Sequence, residues 1–111
     1  MKKNFLLDFE FICKNNKMLI GLELGKKFRK YFEDLGVDFK KIEEDRNIIC
    51  LIPEDILNID ESFIKGFIGD RIEDNGINIF MNYDVCCYNS DILISIFKIV
   101  KNIIKNADKS L

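Results

Sequence analysis

Residues 47–80, NIICLIPEDILNIDESFIKGFIGDRIEDNGINIF, decide the fold. Asn47–Ile52 is an almost unbroken apolar run ended by Pro53. It reads as a central strand covered on both faces, since proline has no N–H with which to extend a ladder. Ile56, Leu57 and Ile59 follow in a connection expected to lie against the core. From Ser62 the apolar period changes: Phe63, Ile64, Phe67, Ile68 and Ile72 recur at helical spacing until Asn75-Gly76 supplies a stop. Gly66 and Gly69 fall inside that helix. Each costs roughly 1 kcal/mol relative to alanine, so the pair signals close approach to a neighbour or an irregular helix.

Upstream, Phe5, Leu7, Phe9 and Phe11 alternate with residues that include Asp8 and Glu10, the pattern of a strand with one buried face. The turn-like Lys14–Lys17 leads to a second run, Met18–Leu24, and the two are expected to form a hairpin. Phe28, Tyr31, Phe32 and Leu35 then mark a short amphipathic helix, with Gly36 as its left-handed C-terminal residue. Residues 37–45 are charged, with isolated Phe39 and Ile42, and read as an edge strand or an ordered loop.

Downstream, Ile77, Ile79, Met81 and Tyr83 alternate and predict another strand, followed by a loop over Asp84–Tyr88. Asn89-Ser90-Asp91 offers caps for a last helix with a broad stripe of Leu93, Ile96, Phe97, Val100, Ile103 and Ile104. The expected fold is therefore α/β: a small mixed β-sheet with helices packed on it, in the order hairpin-α-β-α-β-α. One domain should span 1–106, with a frayed tail at 107–111.

The chain has 111 residues, a formal charge of −2, 48% hydrophobic residues including 10 Phe, and no His. Such a chain can bury a core. Its charge argues against a large nucleic-acid surface, and Lys26, Lys27, Arg29 and Lys30 read as a solvated helix face. The opening MKKNFLLDFEFI has the flavour of a signal peptide, but Asp8 and Glu10 interrupt its apolar stretch. No run reaches membrane-spanning length, so the expected location is cytoplasmic. Cys13, Cys50, Cys86 and Cys87 lack CxxC spacing and fit reduced thiols, the adjacent pair with one side chain inward and one exposed. Lys far in excess of Arg, with abundant Ile and Asn, suggests an AT-rich bacterial or phage source.

Without His, Ser-His-Asp and Cys-His chemistry is excluded. Neither phosphate-cradling motif, GxxxxGK[ST] or GxGxxG, occurs. Adjacent carboxylates at Glu43-Glu44, Glu54-Asp55 and Asp60-Glu61 read as solvated loop residues. The expectation is a protein that is not an enzyme and carries no cofactor or metal. Ser62, where a helix begins, has the position of a cap, a role Asp60 could share.

Here the stretch resembles the STAS and STAS-like regulatory domains, in which a buried strand passes through a short connection to Asp-x-Ser and straight into a helix. Ile59-Asp60-Glu61-Ser62 is similar to their Ile-Asp-Ser-Ser, with Ser62 at the phosphorylatable serine. Ser62-Phe63 looks like the Ser-Phe of STAS-like members, and GLELGKKFRKYFEDL like the start and first helix of that group. Glu61 stands in place of the first serine, Phe63 in place of the glycine of anti-sigma antagonists, and Gly66 where STAS-like members often carry an acidic residue.

The resemblance implies a regulatory protein-protein interaction module. Its partner would be a GHKL-type ATPase or anti-sigma-like protein, bound around Asp60, Glu61, Ser62 and Phe63 and released when Ser62 is phosphorylated. The competing expectation is a small phage or mobile-element inhibitor that covers the basic groove of a host nuclease or defence enzyme. Its contacts would be Glu43, Glu44, Asp45, Glu54 and Asp55. A third is a homodimer that buries Ile92 and Ile99 of the last helix against a copy.

Overall fold

In the computed structural model, which describes residues 2–109, three strands form one parallel sheet. They are β1 (Lys3–Asp8), β3 (Arg46–Leu51) and β5 (Tyr83–Cys86), in the order β1-β3-β5. A second, two-stranded parallel pair joins β2 (Met18–Leu19) to β4 (Asn58–Ile59). The helices are α1 (Leu22–Asp34), α2 (Phe39–Asp45), α3 (Glu61–Asn75), the single turn α4 (Ile79–Asn82) and α5 (Ser90–Lys109). A radius of gyration of 13.3 Å matches the roughly 13 Å of a compact domain near this length.

The α/β class is as expected, and β3 is central, but the sheet is parallel throughout and the expected hairpin is absent. Phe9 N–H continues the ladder to Leu51 O (3.0 Å) instead of entering a tight turn. The chain then coils, with Cys13 N–H on Phe9 O and Asn16 N–H on Cys13 O, and buries Cys13 in the core. Only Met18–Leu19 of the second run is strand. Gly21, at φ 97°, breaks it and α1 begins at Leu22. Positive φ is cheap for glycine alone. The C-terminal end of α1 follows expectation, with Gly36 at φ 94° and Val37 N–H reaching back to Phe32 O.

Two other segments are corrected. Residues 37–45 hold a helix, because Asp38 accepts Lys41 N–H as a cap and places Phe39 and Glu43 inward one turn apart. The strand expected from Ile77 starts only at Tyr83, and the loop expected over Asp84–Tyr88 contains most of that strand. The apparent alternation was deceptive: Ile79 is buried while Ile77 and Met81 stay exposed, on a helical turn and α4. Asn89 caps α5 by accepting Ile92 N–H, and its amide bonds the carbonyls of Glu54 and Ile56. The tail expected at 107–111 lies partly outside the described residues; α5 continues through Lys109.

The core sits on one face of the main sheet. Leu7, Ile48, Cys50 and Tyr83 point into it and meet Phe9, Phe28, Phe32, Phe39, Phe63 and Phe67 from the loops and helices. Phe67 stands at the centre, with ring centroids of Phe9 at 5.1 Å and Phe39 at 5.8 Å in edge contacts. Such pairs add to area burial. The opposite face, carrying Leu6, Asp8, Asp84 and Cys86 at exposed positions, is open. The expectation that β3 is covered on both faces is thus corrected. Ile92 is buried in the core of its own chain, and Ile99 packs against that core.

Candidate functional site

Parallel pairing of β2 with β4 brings the starts of α1 and α3 side by side. Asp60 N–H donates to Leu19 O at 3.1 Å, continuing the ladder past β4. Its carboxylate Oδ1 then accepts Phe63 N–H at 2.8 Å and Gly21 N–H at 3.1 Å. One oxygen therefore caps α3 and holds the turn that opens α1. Asp60→Ala should cost about 2 kcal/mol, at the upper end of a lost cap because two donors lose their partner. Chemical denaturation followed by circular dichroism measures it, and a loss below about 0.5 kcal/mol would show that water replaces both bonds.

The four residues expected at this site divide by role. Asp60 is the cap, and Phe63 is core, edge-on to Phe28 at 5.1 Å. Glu61 ties α3 to α5 by accepting Asn102 Nδ2 at 2.5 Å and pairs with Lys65 at 3.1 Å. The Asn102 hydrogen bond, then Lys65, hold its carboxyl below the ordinary value. Ser62 is exposed on the first turn of α3 and takes no part in the cap. Met18 of β2, Ile20, Leu22 at the start of α1 and Leu57 just before β4 also leave apolar side chains in water. Leu57 N–H bonds Lys17 O at 2.7 Å, which sets it beside Met18, and Leu22 lies against α3 at Gly66.

The acidic residues do not converge. Glu43 is 6% exposed and sits inside, whereas Glu44 and Asp45 are exposed at the end of α2 and Glu54 and Asp55 beyond the end of β3. The six-residue strand between them spans about 20 Å at 3.3 Å per residue. Asp55 is paired with Lys17 at 2.7 Å, and that contact lowers its carboxyl pKa. Three of the four basic residues are likewise paired: Lys26 with Glu23, Lys30 with Asp34, and Arg29 with Glu33 and Asp70.

One cluster escaped sequence reasoning. Glu43 receives both Arg71 Nε (2.9 Å) and Arg71 Nη2 (2.6 Å), the hydroxyl of Tyr83, and Asn75 Nδ2 (3.1 Å). Arg71 also bonds Asp74 at 2.7 Å, and Asn82 supports Asn75. Burial would raise the Glu43 carboxyl, but the hydrogen bonds from Arg71, Tyr83 and Asn75 outweigh it and hold it below the ordinary value. Four donors satisfy both oxygens, which is the chemistry of a structural tie and leaves no lone pair aimed at a ligand. The only sequence signal was Glu43 one helical turn after Phe39.

The thiols are spread out. Cys13 and Cys50 are buried, and burial pushes them up to about 11 and about 12. Cys86 is exposed while Cys87 is half-buried, so the adjacent pair divides as expected. Among the described residues no group of three or more His, Cys, Asp or Glu is placed to hold a metal ion, and no helix is long and apolar enough to cross a membrane. No protein-family model, curated protein or solved structure matches this chain.

Proposed function

We propose that the chain is a non-catalytic regulatory module that binds a protein partner through the paired starts of α1 and α3. Ser62 is the point at which an added phosphate would switch the contact off. The observation that carries this reading is the division of labour between Asp60 and Ser62. Because Asp60 caps α3, the Ser62 hydroxyl is left exposed, and the adjoining segments β2, the start of α1 and the approach to β4 also expose Met18, Ile20, Leu22 and Leu57. Exposed apolar side chains on the elements paired at a modifiable hydroxyl have the composition of an interface that charge can disrupt.

The physics of the switch is local. A phosphate adds about −1.5 to −2 charges, which the N-terminal end of a helix tolerates, so the fold would survive modification. A partner surface fitted to a neutral serine would not accept it. The short STAS-like motif around Ser62 points the same way and suggests a GHKL-type ATPase or anti-sigma-like protein as the partner.

Affinity capture from the native host with wild type, Ser62→Ala and Ser62→Asp baits tests the proposal, with the recovered protein then purified for titration. Wild type and Ser62→Ala should bind it equally, and Ser62→Asp at least tenfold more weakly, a difference of about 1.4 kcal/mol. Equal affinities for all three would end the switch. Undiminished binding by a Leu22→Asp, Leu57→Asp double variant would move the interface elsewhere.

A further inference from the structure

We propose that the free edge of β1 joins two copies of this chain, antiparallel about a two-fold axis through Leu6, so that two three-stranded sheets become one of six strands. β1 is an edge strand, bonded to β3 on one side only. Since Phe9 N–H donates to Leu51 O, the odd-numbered residues of β1 face β3. The amides and carbonyls of Asn4, Leu6 and Asp8 therefore point off the open edge, and among the described residues no backbone bond receives them. Edges of this kind are normally blunted by proline, a bulge or an inward charge. KNFLLD has no proline, and its two charges, Lys3 and Asp8, stand only at its ends.

The edge is self-complementary in one register. Pairing Leu6 with Leu6 of the copy sets Asn4 opposite Asp8 twice, and all three are hydrogen-bonded pairs that use the outward groups of both strands. Asp8 Oδ1 is occupied by Glu10 N–H at 2.9 Å. Its other oxygen remains to accept the Asn4 amide, and no like charges face each other. Leu6, 56% exposed on the open sheet face, meets its copy and extends a row with Ile49, its neighbour in register. A cleft of about 340 Å³ runs along the same edge, with exposed Phe11 and Leu35 at its rim. These also lose water when a copy arrives. The axis is perpendicular to the sheet, so the helices of both copies stay on one side.

The test is sedimentation equilibrium of the full chain from about 1 µM to 1 mM, with circular dichroism to confirm folding. Wild type should show about twice the 13.0 kDa of a single chain. Leu6→Lys places two ammonium groups opposite each other at the axis and should give the monomer mass at the same concentrations. Asn4→Asp sets carboxylates opposite Asp8 and should weaken the dimer at least tenfold, less so in high salt. Both positions are solvent-exposed in the single chain, so neither variant is expected to unfold it. A wild type that stays monomeric to 1 mM, or a dimer that survives both substitutions, would overturn the proposal.

Discussion

Arg71→Ala should destabilise the chain by about 3–5 kcal/mol, because it strands the Glu43 carboxylate in the interior with Tyr83 and Asn75 as its remaining partners. Against a typical total of about 5–15 kcal/mol, that is a large fraction. The urea midpoint of the variant measures the loss, and a change below about 1 kcal/mol would mean that Glu43 reaches water when unpaired. Replacing both charges, Glu43→Leu with Arg71→Met, should recover much of it, since no buried charge is then left without a partner. The pH dependence has a definite sign. Glu43 titrates below its ordinary 4.5 in the folded chain, so its contribution is full above that value and is lost as pH falls through the folded pKa. In Arg71→Ala burial dominates, the carboxyl rises, and the variant should gain stability on mild acidification while wild type loses it.

The second large effect concerns the crossing of α1 and α3. A Cβ built on Gly25 would lie 2.1 Å from Phe63 O, and one on Gly66 would lie 2.2 Å from Leu22 O. Both obstacles are backbone, so no side chain can rotate away and the helices would have to separate. Alanine gains roughly 1 kcal/mol of helix propensity over glycine, but forced separation of packed helices costs more. Gly25→Ala and Gly66→Ala should each destabilise by a net 3 kcal/mol or so. The double variant should cost clearly less than the sum, because helices already parted by one methyl make room for the other. Gly69→Ala is the internal control: its Cβ would meet only the flexible Lys65 side chain, Cβ at 3.5 Å and Cγ at 3.9 Å, both ordinary contacts. That variant should be neutral or slightly more stable, and equal losses at all three positions would assign the effect to helix irregularity instead of close approach.

Irregularity is present too, since α3 is interrupted at Ile68 (φ −137°, ψ 22°), directly before Gly69. The two alternatives that the sequence left open for its paired glycines are therefore both realised, one at each. Gly66 marks the helix crossing, and Gly69 follows the break. The partner, Gly25, directly follows the run Met18–Leu24 that was expected as a strand, and nothing local in GLELGKK announces close approach to a second glycine 41 positions away.

At the candidate site the same division holds. Asp-x-Ser at the head of α3 was legible because caps are local: the side chain and the N–H groups it satisfies lie within four residues. Which of the two residues caps was not legible. Asp60 takes the role partly because its carboxylate also reaches Gly21, a contact created only when β2 lies beside β4. Ser62 is left exposed as a consequence of tertiary pairing, and the functional reading of that serine depends on this exposure.

Local patterning in this sequence determined the α/β class, the central β3, the apolar faces of α1, α3 and α5, and the left-handed glycine after α1, because side-chain period and backbone preference act within a few residues. Strand partners were decided only by the folded chain. Alternation in Phe5–Phe11 is equally compatible with a hairpin and with a parallel edge, and the choice depended on Phe9 and Cys13 finding the aromatic core. The burial of Glu43 was decided in the same way, by an arginine 28 residues further on and a tyrosine 40 further on, since a carboxylate is worth burying only where the tertiary structure brings enough donors to replace water.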